Sequence, residues 1–313
     1  MSAGYRKELA LALFLSILFT IALLYAISEV TLILDKVLQQ YFPEAYWDPE
    51  ERSKILNFLR PIGYTAFVAT IALIFLGFAL KKGLISFAGS LAMYLPIFGY
   101  FAGAMFILTG LGALRALWLP ILDYSPKLLK LGCIVYLPFT FVRVCATLIS
   151  TILMFVGIFI FVLGSTTWLY GKFRGYTVID FWIYRYSRHP QYLGFIIWSY
   201  GLLVEVSTRG YIKGAFTTPP AIIWLISTVI VIGVAMMEEI EMVKRYGEKY
   251  EEYRRKTPFL IPLPKPLAKA VTMPMRLLRR YPPKSLKSVT LTILLYTLII
   301  IAVSWPLLVL NLC

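Results

Sequence analysis

The segment Arg188-His189-Pro190-Gln191-Tyr192-Leu193-Gly194 gathers three kinds of hydrogen-bond donor, a helix-starting proline and a glycine. Proline suits the first position of a helix, where its missing N–H costs nothing. A helix that begins there offers free backbone N–H groups and the positive end of its dipole. Arg188, His189 and Tyr192 add side-chain donors, and Gly194 permits close approach to the backbone. Residues of these types at this spacing would grip a polar ligand. A second cluster, Glu238, Glu239 and Glu241 followed by Lys244 and Arg245, closes an apolar run. Adjacent acids at the edge of hydrocarbon are costly unless they are solvated, paired or used. Beyond them Tyr246, Tyr250 and Tyr253 share a helical face, and Arg254, Arg255 and Lys256 lead to Thr257-Pro258 and Ile261-Pro262.

The elements that must position these clusters belong in a membrane. Of 313 residues 59% are hydrophobic and 15% charged, with mean hydropathy +0.76. A soluble domain carries about 45–50% apolar and about 25% charged residues. Residues 9–34 are apolar beyond the roughly 20 residues a span needs. They follow Arg6 and Lys7, which reads as a retained signal anchor. Residues 35–60 are polar and read as an outside loop, and residues 61–80 return to Lys81 and Lys82. Residues 84–112, broken by Pro96 and Gly99, are one kinked span or a re-entrant pair. Residues 131–170, with Pro138 and Arg143, then cross once or twice to match. Either count leaves Lys172 and Arg174 inside, as basic residues prefer. Residues 192–206 and 221–237, joined by 207–220, form a hairpin whose two ends face the same side, so the two clusters can meet. Residues 289–312 are a last span. The expectation is an all-α, polytopic integral membrane protein of about 7–8 transmembrane helices, with the N-terminus and a ligand pocket facing the cytoplasm.

Charge and rare residues exclude several functions. His189 is the only histidine, so a multi-histidine metal site is ruled out. Cys133, Cys145 and Cys313 lack metal-ligand spacing and are expected to be inert. The net charge of +15 could suggest nucleic acid. However, thirteen Lys/Arg against four Glu fall in residues 241–287, directly after a hydrophobic run. Bases there favour anionic headgroups of the cytoplasmic leaflet. The expected partners are therefore the bilayer and a lipid, and not nucleic acid.

Arg-His-Pro-x-Tyr-x-Gly at 188–194, the Glu238–Glu239 pair and the Tyr/Arg-rich tail at 246–262 occur in this order across a membrane hairpin. The arrangement resembles the isoprenylcysteine carboxyl methyltransferase and phospholipid methyltransferase superfamily, over about residues 165–262. The resemblance implies S-adenosylmethionine as cofactor, held at the cytoplasmic face, and a lipid or prenylated-cysteine acceptor bearing a carboxylate or an amine. It implies that His189, Pro190, Tyr192, Gly194, Glu239, Tyr250, Arg254 and Arg255 line the cofactor site. Arg188, Glu238 and Glu239 would stand near the reacting groups, and Tyr253 would help as a wall. No metal is required. Residues 1–164 and 263–313 lie outside the resemblance, the first as N-terminal transmembrane helices and the second as a basic segment with a final helix.

Two other readings compete. Sterol-reductase-type enzymes use NADPH and a similar turn, with Asn at the fourth position and an acid after the glycine; here these are Gln191 and Phe195. A lipid-binding protein without activity would keep the fold. Taken singly, Arg188 and His189 are also ordinary interfacial residues, the acids a solvated helix end, and the tyrosines a membrane-interface belt. Arg143, Glu205 and Glu29 lie within or beside apolar runs near span ends, where such side chains can reach water.

Overall fold

The computed structural model of the protein describes residues 3–41, 49–101, 116–208, 220–277 and 282–312. Their regular structure is entirely helical. The long helices are α1 (Ala3–Tyr41), α2 (Pro49–Ala79), α3 (Gly83–Phe101), α6 (Arg143–Phe173), α7 (Pro190–Thr208), α8 (Ala221–Tyr246) and α11 (Leu286–Val309). Shorter ones are α4 (Leu119–Tyr124), α5 (Leu137–Phe141), α9 (Glu248–Lys256) and α10 (Lys265–Leu277). Five of these are long and apolar enough to cross a membrane: Gly4–Leu34, Ser53–Ala79, Cys145–Phe173, Ala221–Tyr246 and Leu286–Val309. This marks an integral membrane protein. The expected 7–8 spans compare with these five among the described residues.

Several expected boundaries moved. The polar stretch 35–60, expected as a loop, is helical at both ends: α1 runs on to Tyr41 and α2 starts at Pro49. Residues 42–48, with Pro43, Tyr46 and Trp47, lie outside the described residues, as do 102–115 and 209–219. Helices outlast the bilayer here because polar side chains cost a helix nothing in water. The stretch 131–170 contains one crossing helix rather than two. Its first part is the 3-10 turn Cys133–Val135 and then α5, and only α6 is long enough to span. Pro190 does open α7, as its sequence position predicts. Cys133, expected as an inert thiol, is disulfide-bonded, whereas Cys145 is a free, exposed thiol.

The chain divides into two compact units. One comprises Met1–Leu23, Ile152–Tyr200 and Val231–Tyr296, and the other Leu24–Thr151, Gly201–Ile230 and Thr297–Cys313. In the first, α1 lies on α6 through a hydrogen bond from Ser16 Oγ to Val162 O (2.9 Å) and a stack of Phe19 on Phe161. The α6–α7 crossing in this unit is built on small residues. A Cβ added at Gly157 would sit 2.7 Å from Gly194 O, and one at Gly194 would sit 2.7 Å from Gly157 O and Phe161 N. Gly164 likewise abuts Pro190 and the Gln191 amide. Small residues let helix backbones approach closely in lipid, where packing rather than hydrophobicity drives association.

In the second unit, α2 and α3 pack at Gly77 against Ser86, whose hydroxyl donates to Ile74 O (3.0 Å). Trp118 Nε1 donates to Met93 O (3.1 Å), one turn ahead of Pro96. Glu205 and Ser150, both buried, are hydrogen-bonded to each other. Of the five candidate spans, α8 is the buried one: 78% of its most apolar window is covered, against 11–22% in the other four. The Glu pair lies near the C-terminal end of this helix.

Candidate active site

The candidate residues all fall in the first unit, at the start of α7, the end of α8 and on α9. The approach to α7 is the 3-10 turn Trp182–Arg185. Trp182 stands at φ +49°, which L residues adopt rarely, and stacks on Tyr170 at 5.0 Å between ring centres. This turn delivers Tyr184 inward, where its hydroxyl donates to Gln191 Oε1 (2.8 Å). Tyr253 Oη donates to Tyr184 O (2.8 Å), and Val178, Ile179, Tyr184, Tyr250 and Tyr253 form a buried cluster with Met242, Val243 and Tyr246 packed on it. Gly247 turns the chain from α8 into α9 at φ +55°, ψ −131°, a region open to glycine alone. That turn folds α9 back onto the site. Arg188 N–H then donates to Pro258 O (3.1 Å), tying the tail to the start of the motif.

On this frame the charged side chains form one chain of contacts. Arg188 Nε lies 2.8 Å from Glu239 Oε1, an ion pair whose N–H is not aligned as a hydrogen bond. Arg188 Nη1 donates to Arg254 O (3.0 Å), and the guanidinium lies over the Phe259 ring at 5.7 Å. His189 Nε2 is 3.3 Å from the same Glu239 oxygen, and its Nδ1 is 3.8 Å from Glu238 Oε2. Nε2 is thus within hydrogen-bond reach of Glu239, whereas Nδ1 is near Glu238 but beyond such a bond. Tyr192 Oη donates to Glu238 Oε1 (2.5 Å). Burial separates the two acids. The side chains of Arg188, His189 and Glu239 are 7–9% exposed, whereas that of Glu238 is 48% exposed. Adjacent helical residues point about 100° apart, so one faces the protein and the other faces out.

The tyrosines remain protonated donors. Burial pushes the Tyr184, Tyr250 and Tyr253 hydroxyls well above their ordinary range, and at Tyr250 the neighbouring Glu239 charge pushes the same way. An anionic phenolate would be costly in such a place.

Arg188, His189, Tyr192, Glu238, Glu239 and the Arg254 backbone are thus brought together, with Tyr250 buried close by in the aromatic cluster. Pro190 is buried at the start of α7. The close approach expected of Gly194 is made by α6, so its open face holds a helix crossing. Arg254 is mostly buried and paired with Glu251 at 2.8 Å, whereas Arg255 is exposed. Sequence reasoning missed Tyr184, Phe259 and the role of Gln191. The aromatic density of 181–186 was the available signal for Tyr184, and it reads equally as an interface belt.

Residues 134–257, which include the whole charged cluster, match the family DUF1295, described as a protein of unknown function. Methanethiol S-methyltransferase of Crocosphaera subtropica is 32% identical over 100 residues, 30% of this chain and 34% of that protein. Protein-S-isoprenylcysteine O-methyltransferase of Schizosaccharomyces pombe is 33% identical over 81 residues, 26% of this chain and 31% of that protein. This stretch is similar to the isoprenylcysteine methyltransferase-like superfamily. The chain matches about a third of the length of these curated relatives. Both are named as methyltransferases, and they differ in the atom they methylate, sulfur in one and oxygen in the other. No solved structure matches the chain. The superfamily resemblance read from the Arg-His-Pro turn and the Glu pair therefore stands, on a region that ends where α9 ends.

Proposed function

We propose that the protein is a membrane-embedded, S-adenosylmethionine-dependent methyltransferase acting on a lipid or lipidated acceptor. The observation that carries this is the joining of the two motif clusters: His189 sits between Glu238 and Glu239, and Arg188 closes on Glu239 from the other side. The cofactor would bring a methyl group already activated on a positive sulfonium, so the protein needs no covalent nucleophile.

The residues present fit such a group. Glu238, Glu239 and Glu241 make this end of α8 acidic, which suits a cationic centre. Arg188 Nε is buried without an aligned hydrogen-bond acceptor. In this reading His189, Pro190, Tyr192 and Glu239 border the cofactor, Tyr250 walls the site, and Arg254 ties α9 over it. Gly194 acts at one remove, by setting α7 against α6. The protein's task is then to hold donor and acceptor in line, worth roughly 7–11 kcal/mol in well-oriented reactions. The site and the N-terminus face the cytoplasm in this account, and the bases of 241–287 meet anionic headgroups.

Photo-crosslinking tests the reading. Methyl-tritiated S-adenosylmethionine should label the purified protein, unlabelled S-adenosylhomocysteine should compete, and His189→Ala should lose most of the label. Equal labelling of wild type and variant would reject this site.

A further inference from the structure

We propose that α10 is a lipid-binding helix: its outer apolar face lies in the boundary of the bilayer, and its basic face selects anionic phospholipid headgroups. This seat is independent of whether the cluster on α7 and α8 binds a cofactor. At about 100° per residue, α10 carries three stripes. Ala268, Thr272 and Met275 recur at i, i+4 and i+7; Met275 is buried and the other two are half-buried, so this stripe meets the protein. The Tyr296 hydroxyl on α11 donates to Val271 O, which holds α10 beside the first half of that span. Leu267, Ala270, Val271, Pro274 and Leu277 form a second stripe, at i, i+3, i+4, i+7 and i+10. It stays open: Leu267 is 55%, Val271 53% and Leu277 71% exposed, and Met273 at its edge is exposed as well. Lys265, Lys269 and Arg276 make the third stripe, roughly opposite the second, and all three are exposed.

One apolar stripe is enough to dock a helix on its own protein; a second, left open, needs another apolar phase. The 13 residues of α10 extend about 20 Å, short of the roughly 30 Å hydrocarbon core, so α10 is not itself a span. Pro274 has no N–H to offer the Ala270 carbonyl, and hydrocarbon tolerates no backbone group without a partner. The boundary meets both conditions. Apolar side chains sink towards the acyl chains there, while water and headgroups serve the polar groups. Charge then names the lipid. Residues 257–313 contain seven Lys/Arg and no acid. Bases at a membrane surface are drawn to anionic headgroups, and a zwitterionic lipid offers them no net charge. An acidic protein would meet the basic stripe but leave the apolar one open.

The test uses the full-length protein in lipid nanodiscs, with Cys145→Ser removing the free, exposed thiol. A bimane probe on Leu267→Cys or Leu277→Cys should be quenched by lipids spin-labelled high on the acyl chain and shielded from aqueous iodide. A probe on Lys269→Cys should show the reverse. At equal mole fraction, spin-labelled phosphatidylglycerol should quench the Leu267→Cys probe at least about threefold more than spin-labelled phosphatidylcholine. Replacing Lys265, Lys269 and Arg276 together by Gln should bring the two lipids level, while lipid quenching itself persists. The unaltered protein gives a readout that needs no variant. Its amide exchange over residues 265–277 should be at least about threefold slower in nanodiscs containing phosphatidylglycerol than in phosphatidylcholine alone. Iodide quenching of the Leu267→Cys probe would put the open stripe in water, and quenching by neither agent would put it under a protein or a second copy of this chain; either result overturns the proposal. Equal quenching by the two lipids, or equal exchange, would overturn the selectivity for anionic headgroups.

Discussion

Two arginine–carboxylate pairs, one in each unit, show what separates a structural contact from a working one. Arg60 and Asp123 meet in the second unit with all three guanidinium nitrogens of Arg60 hydrogen-bonded. Nε and Nη2 reach the two carboxylate oxygens at 2.7 and 3.2 Å, Nη1 reaches Asn57 at 2.7 Å, and Tyr64 adds a weak bond at 3.4 Å. The pair is partly exposed, at 44% and 25%. Arg188 and Glu239 meet in the first unit at 7% and 9% exposure. Their geometry is less complete, and Glu239 also serves His189. The exposed pair closes a surface; such pairs are worth about 0–1 kcal/mol. The buried pair sits where desolvation is expensive, and its charges are shared with His189, inside the stretch that matches the family DUF1295. The first pair has aligned hydrogen bonds throughout, whereas in the second the buried Arg188 Nε meets Glu239 without one.

The largest expected effect comes from breaking the buried pair. Glu239→Ala leaves the Arg188 charge enclosed without its partner, and should cost about 3–5 kcal/mol, read as lower thermal stability of the detergent-solubilised protein. A loss below 1 kcal/mol would mean that Arg188 reaches water and that the pair is no more than the surface one. Next comes the crossing that holds the site. Gly194→Ala forces a Cβ to 2.7 Å from two backbone atoms of α6, and backbone cannot rotate aside. It should destabilise by about 1–3 kcal/mol and weaken cofactor binding, whereas Gly4→Ala, with nothing within 4 Å of the new carbon, should leave binding unchanged.

Tyr192→Phe should alter stability little, since Glu238 is half-exposed, but should slow turnover by loosening that carboxylate. Equal kcat in variant and wild type would remove Tyr192 from the site. The smallest effect belongs to Asp123→Asn. A hydrogen bond from Arg60 holds the Asp123 carboxyl below its ordinary value. A depressed carboxylate adds stability above its unfolded pKa of about 3.9, and that stability is lost as pH falls through the lower folded value. The Tm difference between wild type and Asp123→Asn should therefore be small, constant between about pH 5 and 8, and shrinking below about pH 4. A difference that grows on acidification would contradict the sign.

The comparison also shows what sequence can carry. The start of α7 at Pro190 and the apolar hairpin partner α8 were legible, because a proline fixes a helix start and hydropathy marks a span. The helical ends of 35–60 were not, since polarity separates water from lipid and does not separate loop from helix. That Glu238 and Glu239 lie near His189 followed from a hairpin whose ends share a side. Which of the two is buried did not, because that depends on the rotation of α8 about its own axis. Gly194 announced a close approach without saying to what; its neighbour Gly157 lies on another helix. Arg254 and Arg255 were likewise equivalent as letters, and α9 turns one in and the other out.

The central claim is that this cluster serves S-adenosylmethionine chemistry, and its most direct test is calorimetric titration of the detergent-purified protein with S-adenosylhomocysteine, alongside NADPH. The account predicts saturable S-adenosylhomocysteine binding that is lost in His189→Ala, and none for NADPH. Binding of NADPH alone would contradict it and point to a reductase, and binding of neither would leave the protein without the cofactor this site is proposed to hold.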